Sequence, residues 1–305
     1  MKMKVHRLCI VLLAALAFAA TGCDRNNDFT APAFIHLDAI QLEMPTENPI
    51  TTEDGFYTAD IVAARVLLRY PGLSTLDTLG LFELPFTAPV LFNGVPEFIE
   101  VYPAIEQSGS SRALIPYFYK SIHLTDRTLK AGDTLNLGTL TTTYLATNDV
   151  MRYELFEPTE GSIIFDSVVI WEPHAAADAC SGEGYGRVHV TPSQASVTFS
   201  IDEQFILDTV EKALYLELDS RSDLLYSVNL KSAYTEGGAE ETREVMRIRP
   251  SEKWVHLYVN LGTTFKWFNK NPKFRITFTA LNIDGTEGDV RIDNVRLISA
   301  HTTSI

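Results

Sequence analysis

Asp289-Val290-Arg291-Ile292-Asp293-Asn294-Val295-Arg296-Leu297 is the stretch on which the reading of the fold turns. Val290 and Ile292 share one face of an extended chain, and Val295 and Leu297 share a face too, but the phase slips by one residue between the pairs. Apolar residues at a period of two mark a strand with one buried face. A slip of one would turn every later side chain to the wrong side unless an extra residue is accommodated. Asp293-Asn294 sits at the slip, so the sequence predicts a β-bulge or bend there.

Further runs of strand character lie upstream in the same half: Gly184–Val190, Ala195–Ile201, Ala213–Leu218, Leu224–Leu230, Trp254–Leu261 and Phe274–Ile283. Asp219-Ser220-Arg221-Ser222-Asp223 is expected to turn Ala213–Leu218 back onto Leu224–Leu230 as a pair. Glu236–Glu244 reads as an acidic loop containing glycine. Short strands at this spacing mean a β-sandwich.

The first half has the same period. Ile35 and Leu37 alternate with Phe34, His36 and Asp38. Ile61–Tyr70 is the longest early strand candidate, although its alanines also permit a helix, and Pro71-Gly72 stops it. Strand candidates follow at Leu79–Leu84, Val90–Phe92, Phe98–Tyr102, Ile115–Ile122 and Leu135–Tyr144, separated by turn residues. Residues 146–162 are polar and broken by Pro158 and Gly161. The fold class expected is all-β, two tandem β-sandwiches: one over 33–147, a linker over 148–162 and the second over 163–300.

The N-terminus reads as a leader. Lys2, Lys4 and Arg7 precede an uncharged apolar run from Leu8 to Ala20. That run is too short for a membrane span, which needs about 20 apolar residues, and suits the apolar core of a secretory signal. Residues 1–22 are therefore expected to be a signal peptide. Asp24-Arg25-Asn26-Asn27-Asp28 is polar and reads as part of a tether over 23–32.

Removing the leader takes three basic and no acidic residues, so 22 basic and 39 acidic residues remain, a net charge of −17. Phosphate binding depends on Lys and Arg, so nucleic acid is not an expected partner. Of three cysteines, Cys9 leaves with the leader, and Cys23 and Cys180 stay. A buried small residue is the expected role of Cys180.

Three resemblances add to this. Ala20-Thr21-Gly22-Cys23 resembles the bacterial lipobox, with Ala20 where Leu, Val or Ile is usual. The resemblance implies a lipid on Cys23, so that membrane is one partner. If Cys23 takes that lipid, only Cys180 remains and no internal disulfide can form. The protein would be an outer-membrane lipoprotein of Bacteroidota type, at the cell surface or the periplasmic face. Residues 33–145, through Leu79–Pro85, Pro89–Gly94 and Ile115–Tyr119, resemble the N-terminal module of Bacteroidota lipoproteins and, more faintly, small PEGA or Ig-like β-domains. The 289–297 string, with Glu252–Leu261 and Leu214–Asp219, resembles jelly rolls of the galactose-binding-like and carbohydrate-binding-module type. In such jelly rolls a structural Ca²⁺ is common. The resemblance implies Asp293 as a ligand, with Asp166 as a candidate partner; the alternative is that Asp293 and Asn294 hydrogen-bond the bulge. No other cofactor is expected.

No His-Glu-x-x-His, Gly-x-Ser-x-Gly, Cys-x-x-Cys or phosphate-cradling glycine loop occurs. His174 with Asp178, Cys180 and Glu183 is a weak metal candidate that matches no ligand spacing. Candidate ligand-binding aromatics are Trp267 and Phe268, in a loop-like segment, and Tyr185, Tyr226 and Tyr234. The function expected is a non-catalytic, lipid-anchored envelope protein whose second sandwich binds a glycan or a glycosylated surface. The alternatives are a structural subunit of an envelope, secretion or surface assembly making protein contacts only, and, behind both, a hydrolase with paired carboxylates.

Overall fold

The computed structural model describes residues 31–43, 59–108, 113–116, 118–145, 149–157, 160–161, 165–173, 180, 184–202, 204–206, 212–233, 240–265 and 273–301. It is built almost wholly of strands. The first ten are β1 Ala33–Leu37, β2 Ala39–Leu42, β3 Ile61–Arg69, β4 Leu76–Glu83, β5 Phe86–Val90, β6 Phe98–Gln107, β7 Ala113–Ile115, β8 Ile122–Leu124, β9 Thr134–Asn136 and β10 Thr139–Thr142. The rest are β11 Asp149–Glu157, β12 Glu160–Gly161, β13 Ile170–Pro173, β14 Gly184–Val190, β15 Ser196–Ser200, β16 Phe205–Ile206, β17 Lys212–Ser222, β18 Leu225–Ala233, β19 Glu241–Ile248, β20 Ser251–Asn260, β21 Lys273–Leu281 and β22 Gly288–His301.

In the first half, β4-β3-β6 with β8 lie across a core from β5-β1-β9 and the β10-β2 pair. Ile35, Leu37, Val66, Leu68, Ile99 and Val101 meet in that core. Ile61–Arg69 is a strand, and it ends where Gly72 takes φ +78°. In the second half, β11, β17 and β14 flank β22, with β20 beyond β17 and β13 beyond β14. The facing sheet runs β15-β21-β18-β19. Leu214, Leu216 and Leu218 of β17 are buried against Val228, Leu230, Ile276 and Phe278 of the facing sheet.

The bulge is where the sequence placed it. Glu217 pairs with Arg296 and Asp219 with Asp293, so Leu218 alone faces two residues, Asn294 and Val295. Asn294 takes φ +49°, a conformation asparagine tolerates better than most side chains. Its amide N–H donates to Asp293 Oδ1 at 2.7 Å. The extra residue restores the phase, and Val290, Ile292, Val295 and Leu297 all reach the same core.

Two expectations are corrected. The segment 148–162, read as a linker, carries β11, which pairs antiparallel with β22 from Asp149↔Ser299 to Glu154↔Val295. β14 pairs only with Gly288–Ile292 of the long β22, so the backbone groups beyond Ile292 need another partner on that side. The second correction concerns β17 and β18, which do not pair with each other but lie in opposite sheets. Ser222 Oγ donates to the Leu224 carbonyl at 2.7 Å and accepts from the Leu224 N–H at 3.1 Å, and this local turn carries the chain from one sheet to the other.

The halves also touch. Tyr258 of β20 pairs in parallel with Gln107 of β6, and the Ser108 N–H donates to the Tyr258 carbonyl at 2.8 Å. Around this point Ile105, Phe118, Tyr119 and Tyr144 pack on Tyr215, Tyr258 and Ile298.

Candidate functional site

The outward face of the β15-β21-β18-β19 sheet carries a strip of small hydroxyl and amide side chains. Alternation decides it. Tyr226, Val228 and Leu230 of β18 enter the core, so Ser227, Asn229 and Lys231 point out. On β21 the outward set is Arg275, Thr277 and Thr279, and on β15 it is Thr198 and Ser200. The register places Ser227 opposite Thr279, Asn229 opposite Thr277 and Lys231 opposite Arg275, while Thr198 faces Thr279 from the other side.

The strip is linked by long hydrogen bonds. The Asn229 amide donates to Thr279 Oγ1 at 3.3 Å and to the Thr277 carbonyl at 3.5 Å, and Thr198 and Thr279 hydroxyls lie 3.3 Å apart. Thr198 is exposed and Thr279 half-buried, while Ser200, Ser227, Asn229 and Thr277 retain only 5–8% of their surface. Longer residues stand beside the strip: across the register Glu244 lies opposite Asn229 and Arg247 opposite Ser227, and the two form an ion pair at 2.9 Å. A face of this kind offers donors and acceptors at the strand spacing of about 4.8 Å, matched to a ligand that carries many hydroxyls.

Most residues named from the sequence lie elsewhere. Tyr226 is a correction: it is fully buried in the core, and its hydroxyl donates to Ser220 Oγ at 2.6 Å. β18 alternates, and Tyr226 falls on the inward phase. Tyr185 of β14 points outward from the other sheet, where its ring meets Trp254 edge-on at 5.9 Å. Beside it Arg187 ion-pairs with Glu172 at 3.1 Å and with Asp289 at 2.9 Å. Burial alone would raise the Asp289 carboxyl; hydrogen bonds from Arg187 and His189 outweigh it and hold the group below its ordinary value. Trp267, Phe268, Tyr234, His174, Asp178, Glu183 and Cys23 lie outside the described residues.

The two carboxylates expected at calcium are not brought together. Asp166 accepts from Ser200 Oγ at 2.9 Å and from the Val168 N–H at 3.2 Å, beside the β15 sheet. Asp293 is buried in the bulge of the opposite sheet. Among the described residues no group of three or more His, Cys, Asp and Glu is arranged to hold a metal.

Converging carboxylates do occur, at the junction between the halves. Glu217 and Asp219 of β17 point outward from their sheet yet are 0% and 2% exposed. His256 lies between them, Nε2 at 2.9 Å from Glu217 and Nδ1 at 2.9 Å from Asp219. With a carboxylate on each nitrogen, both nitrogens donate and the ring is an imidazolium. Burial alone would depress its pKa; the hydrogen bonds it donates to Asp219 and Glu217 outweigh that and raise it to about 9. Tyr144 of the first half donates to Glu217 at 2.5 Å, Tyr119 donates at 3.4 Å, and Arg296 lies 3.8 Å away. Asn294 donates to Asp219 at 2.8 Å. The Cys180 thiol is pushed up by burial and by nearby Asp219 and Asp293, which keeps it protonated. Carboxylates enclosed and occupied in this way hold two parts of a fold together; a hydrolase needs them beside a space for substrate and water.

No protein-family model matches this chain, and no curated protein does. Among solved structures it is similar to a family 30 carbohydrate binding module at 14% identity, covering 46% of this chain and 77% of that one, with a TM-score of 0.36. It is similar to a xylan-binding domain from family 22 at 13% identity, covering 51% and 97%, with a TM-score of 0.33. It is also similar to the family 11 carbohydrate-binding module from Clostridium thermocellum in complex with a beta-1,3-1,4-mixed-linked tetrasaccharide, at 13% identity, covering 51% and 100%, with a TM-score of 0.33.

Proposed function

We propose that this chain is a non-catalytic, lipid-anchored envelope protein whose second β-sandwich binds glycan on the outward face of the β15-β21-β18-β19 sheet. The observation that carries the reading is the strip Thr198–Thr279–Asn229–Thr277, loosely bonded within itself, with Thr198 and Thr279 presented and Asn229 and Thr277 set deeper between them. Saccharide hydroxyls need donors and acceptors at close spacing, and this face supplies both. Lipid on Cys23 places the protein at the outer membrane, on its surface or its periplasmic side. The test has two arms. Calorimetry against a panel of soluble polysaccharides should find binding that Asn229→Ala weakens about tenfold, the loss of one or two hydrogen bonds. Cys23→Ala should abolish partition into membranes. A panel without any binder overturns the glycan reading; unchanged partition overturns the anchor.

A second reading, a structural subunit of an envelope assembly, is favoured by one feature. Ile170 and Trp171 on β13, which pairs only with β14 among the described strands, are 55% and 44% exposed. An exposed apolar edge strand is a template for another chain. Crosslinking of the lipidated protein in native membranes distinguishes the two: a stoichiometric protein partner lost on Trp171→Lys supports this one.

A further inference from the structure

The strip does not stay neutral along its length. Beyond Ser227/Thr279 and Asn229/Thr277, the next outward pair is Lys231/Arg275, and Lys273 follows opposite Ala233. These cations surround a pocket lined by Gln204, Lys231, Glu240, Lys273, Phe274 and Arg275. Lys231 reaches Glu240 at 2.6 Å, and Arg275 lies 3.7 Å from Asp202. Among the described residues Lys273 has no ion-pair partner, so three cations stand against two carboxylates. On a chain whose formal net charge is −14, such a local excess runs against the general field. Lys231, Glu240, Arg275 and Asp202 are all more than a third exposed, so these pairs are weak and open to exchange for a stronger anion.

We infer that this end of the strip binds an anionic substituent, a carboxylate or sulfate, of an acidic polysaccharide. The inference rests on the glycan reading and narrows it to a substrate class. The neutral part of the chain lies along Thr279, Asn229 and Thr277, and the acidic group enters among Lys231, Lys273 and Arg275. Guanidinium and ammonium donors to an anionic oxygen form stronger hydrogen bonds than neutral pairs do. Glu240 competes with the ligand for Lys231 and weakens binding.

The experiment is calorimetry of the soluble mature chain with polygalacturonate, a sulfated glycosaminoglycan and a neutral galactan of similar length. An acidic polymer should bind more tightly than the neutral one, and added salt should erode the difference. The double variant K231Q/K273Q should lose on the order of tenfold in affinity for the acidic polymer while leaving the neutral one unchanged. E240Q should gain about threefold for the acidic polymer. The polymer that binds tells carboxylate from sulfate. Neutral glycan bound as well as acidic overturns this inference and leaves the glycan reading standing. Acidic glycan preferred but indifferent to K231Q/K273Q and E240Q also overturns it, because the pocket is then not the site. No binding to any polymer removes both. Circular dichroism and a thermal melt establish that the variants fold, and loss of weak surface pairs should leave both unchanged.

Discussion

His256→Gln tests the reasoning about the junction most severely. In the folded chain the imidazolium is enclosed between Glu217 and Asp219, and its pKa stands at about 9 against an ordinary 6.5. At about 1.4 kcal/mol per unit, the difference corresponds to about 3 kcal/mol of stability. The sign follows from the direction of the shift. The folded value is the higher one, so the stabilisation is fully present below pH 6.5 and is lost as pH rises through about 9. Wild-type stability should therefore fall between these limits by up to about 1.4 kcal/mol per pH unit from this group. His256→Gln removes the titrating ring and leaves two buried carboxylates short of a counter-charge, at a cost of about 3–5 kcal/mol near neutral pH. Urea unfolding of both proteins at several pH values is the assay. The gap between the two curves should be widest near pH 6.5 and narrow toward pH 9. A gap that stays constant across that range would refute the claim that His256 is charged and held by both carboxylates.

The other expectations concern the same region. Tyr144→Phe removes a 2.5 Å hydrogen bond to buried Glu217 and should cost about 2 kcal/mol; an unchanged urea midpoint would contradict the geometry. Asn294→Ala loses both the hydrogen bond to Asp219 and the residue suited to φ +49°, so it should be about 1 kcal/mol worse than Asn294→Gly, which keeps the backbone freedom. Cys180 should react slowly with a thiol reagent near neutral pH until the chain is unfolded, because burial and two neighbouring carboxylates oppose the thiolate; labelling at the rate of a free thiol would show that the residue is open.

How much of this was legible depends on which interactions are local. The phase slip at Asp293-Asn294 announced the bulge because period two is a property of neighbours in the chain. Ser227-x-Asn229-x-Lys231 and Arg275-x-Thr277-x-Thr279 alternate in the same way, but nothing in the sequence says that the two runs lie side by side. That depends on the register of β18 against β21. Tyr226 and Tyr185 are alike as residue types, and phase alone puts the first in the core and the second on the surface. The pairing of β11 with β22 joins residues about 150 apart, a separation at which no periodicity carries information. The aromatic signals, Trp267 and Phe268, lie outside the described residues, while the polar strip carried no motif to attract notice.

The two sheets of the second sandwich divide the work by side-chain type. β17 and β20 turn Tyr215, Glu217, His256 and Tyr258 away from their own core, and these large or charged groups are buried only because Phe118, Tyr119 and Tyr144 of the first half cover them. Uncovered, the rings would be an apolar patch on the surface; covered but unpaired, the charges would carry a heavy desolvation cost, which the hydroxyls of Tyr119 and Tyr144 help to offset. The facing sheet turns out small hydroxyl and amide groups linked in part by their own hydrogen bonds; Ser200, Ser227, Asn229 and Thr277 are buried, Thr279 is half-buried and Thr198 is exposed. It follows that the first half occupies one face of the sandwich as a condition of stability, and the proposed ligand face is the other one. Disrupting the junction at Glu217 should therefore lower stability without changing glycan affinity at temperatures where the chain stays folded. Glu217→Gln measured by calorimetry and by urea unfolding separates the two: a parallel loss of affinity would mean that the ligand reaches the junction face and that the division drawn here is wrong.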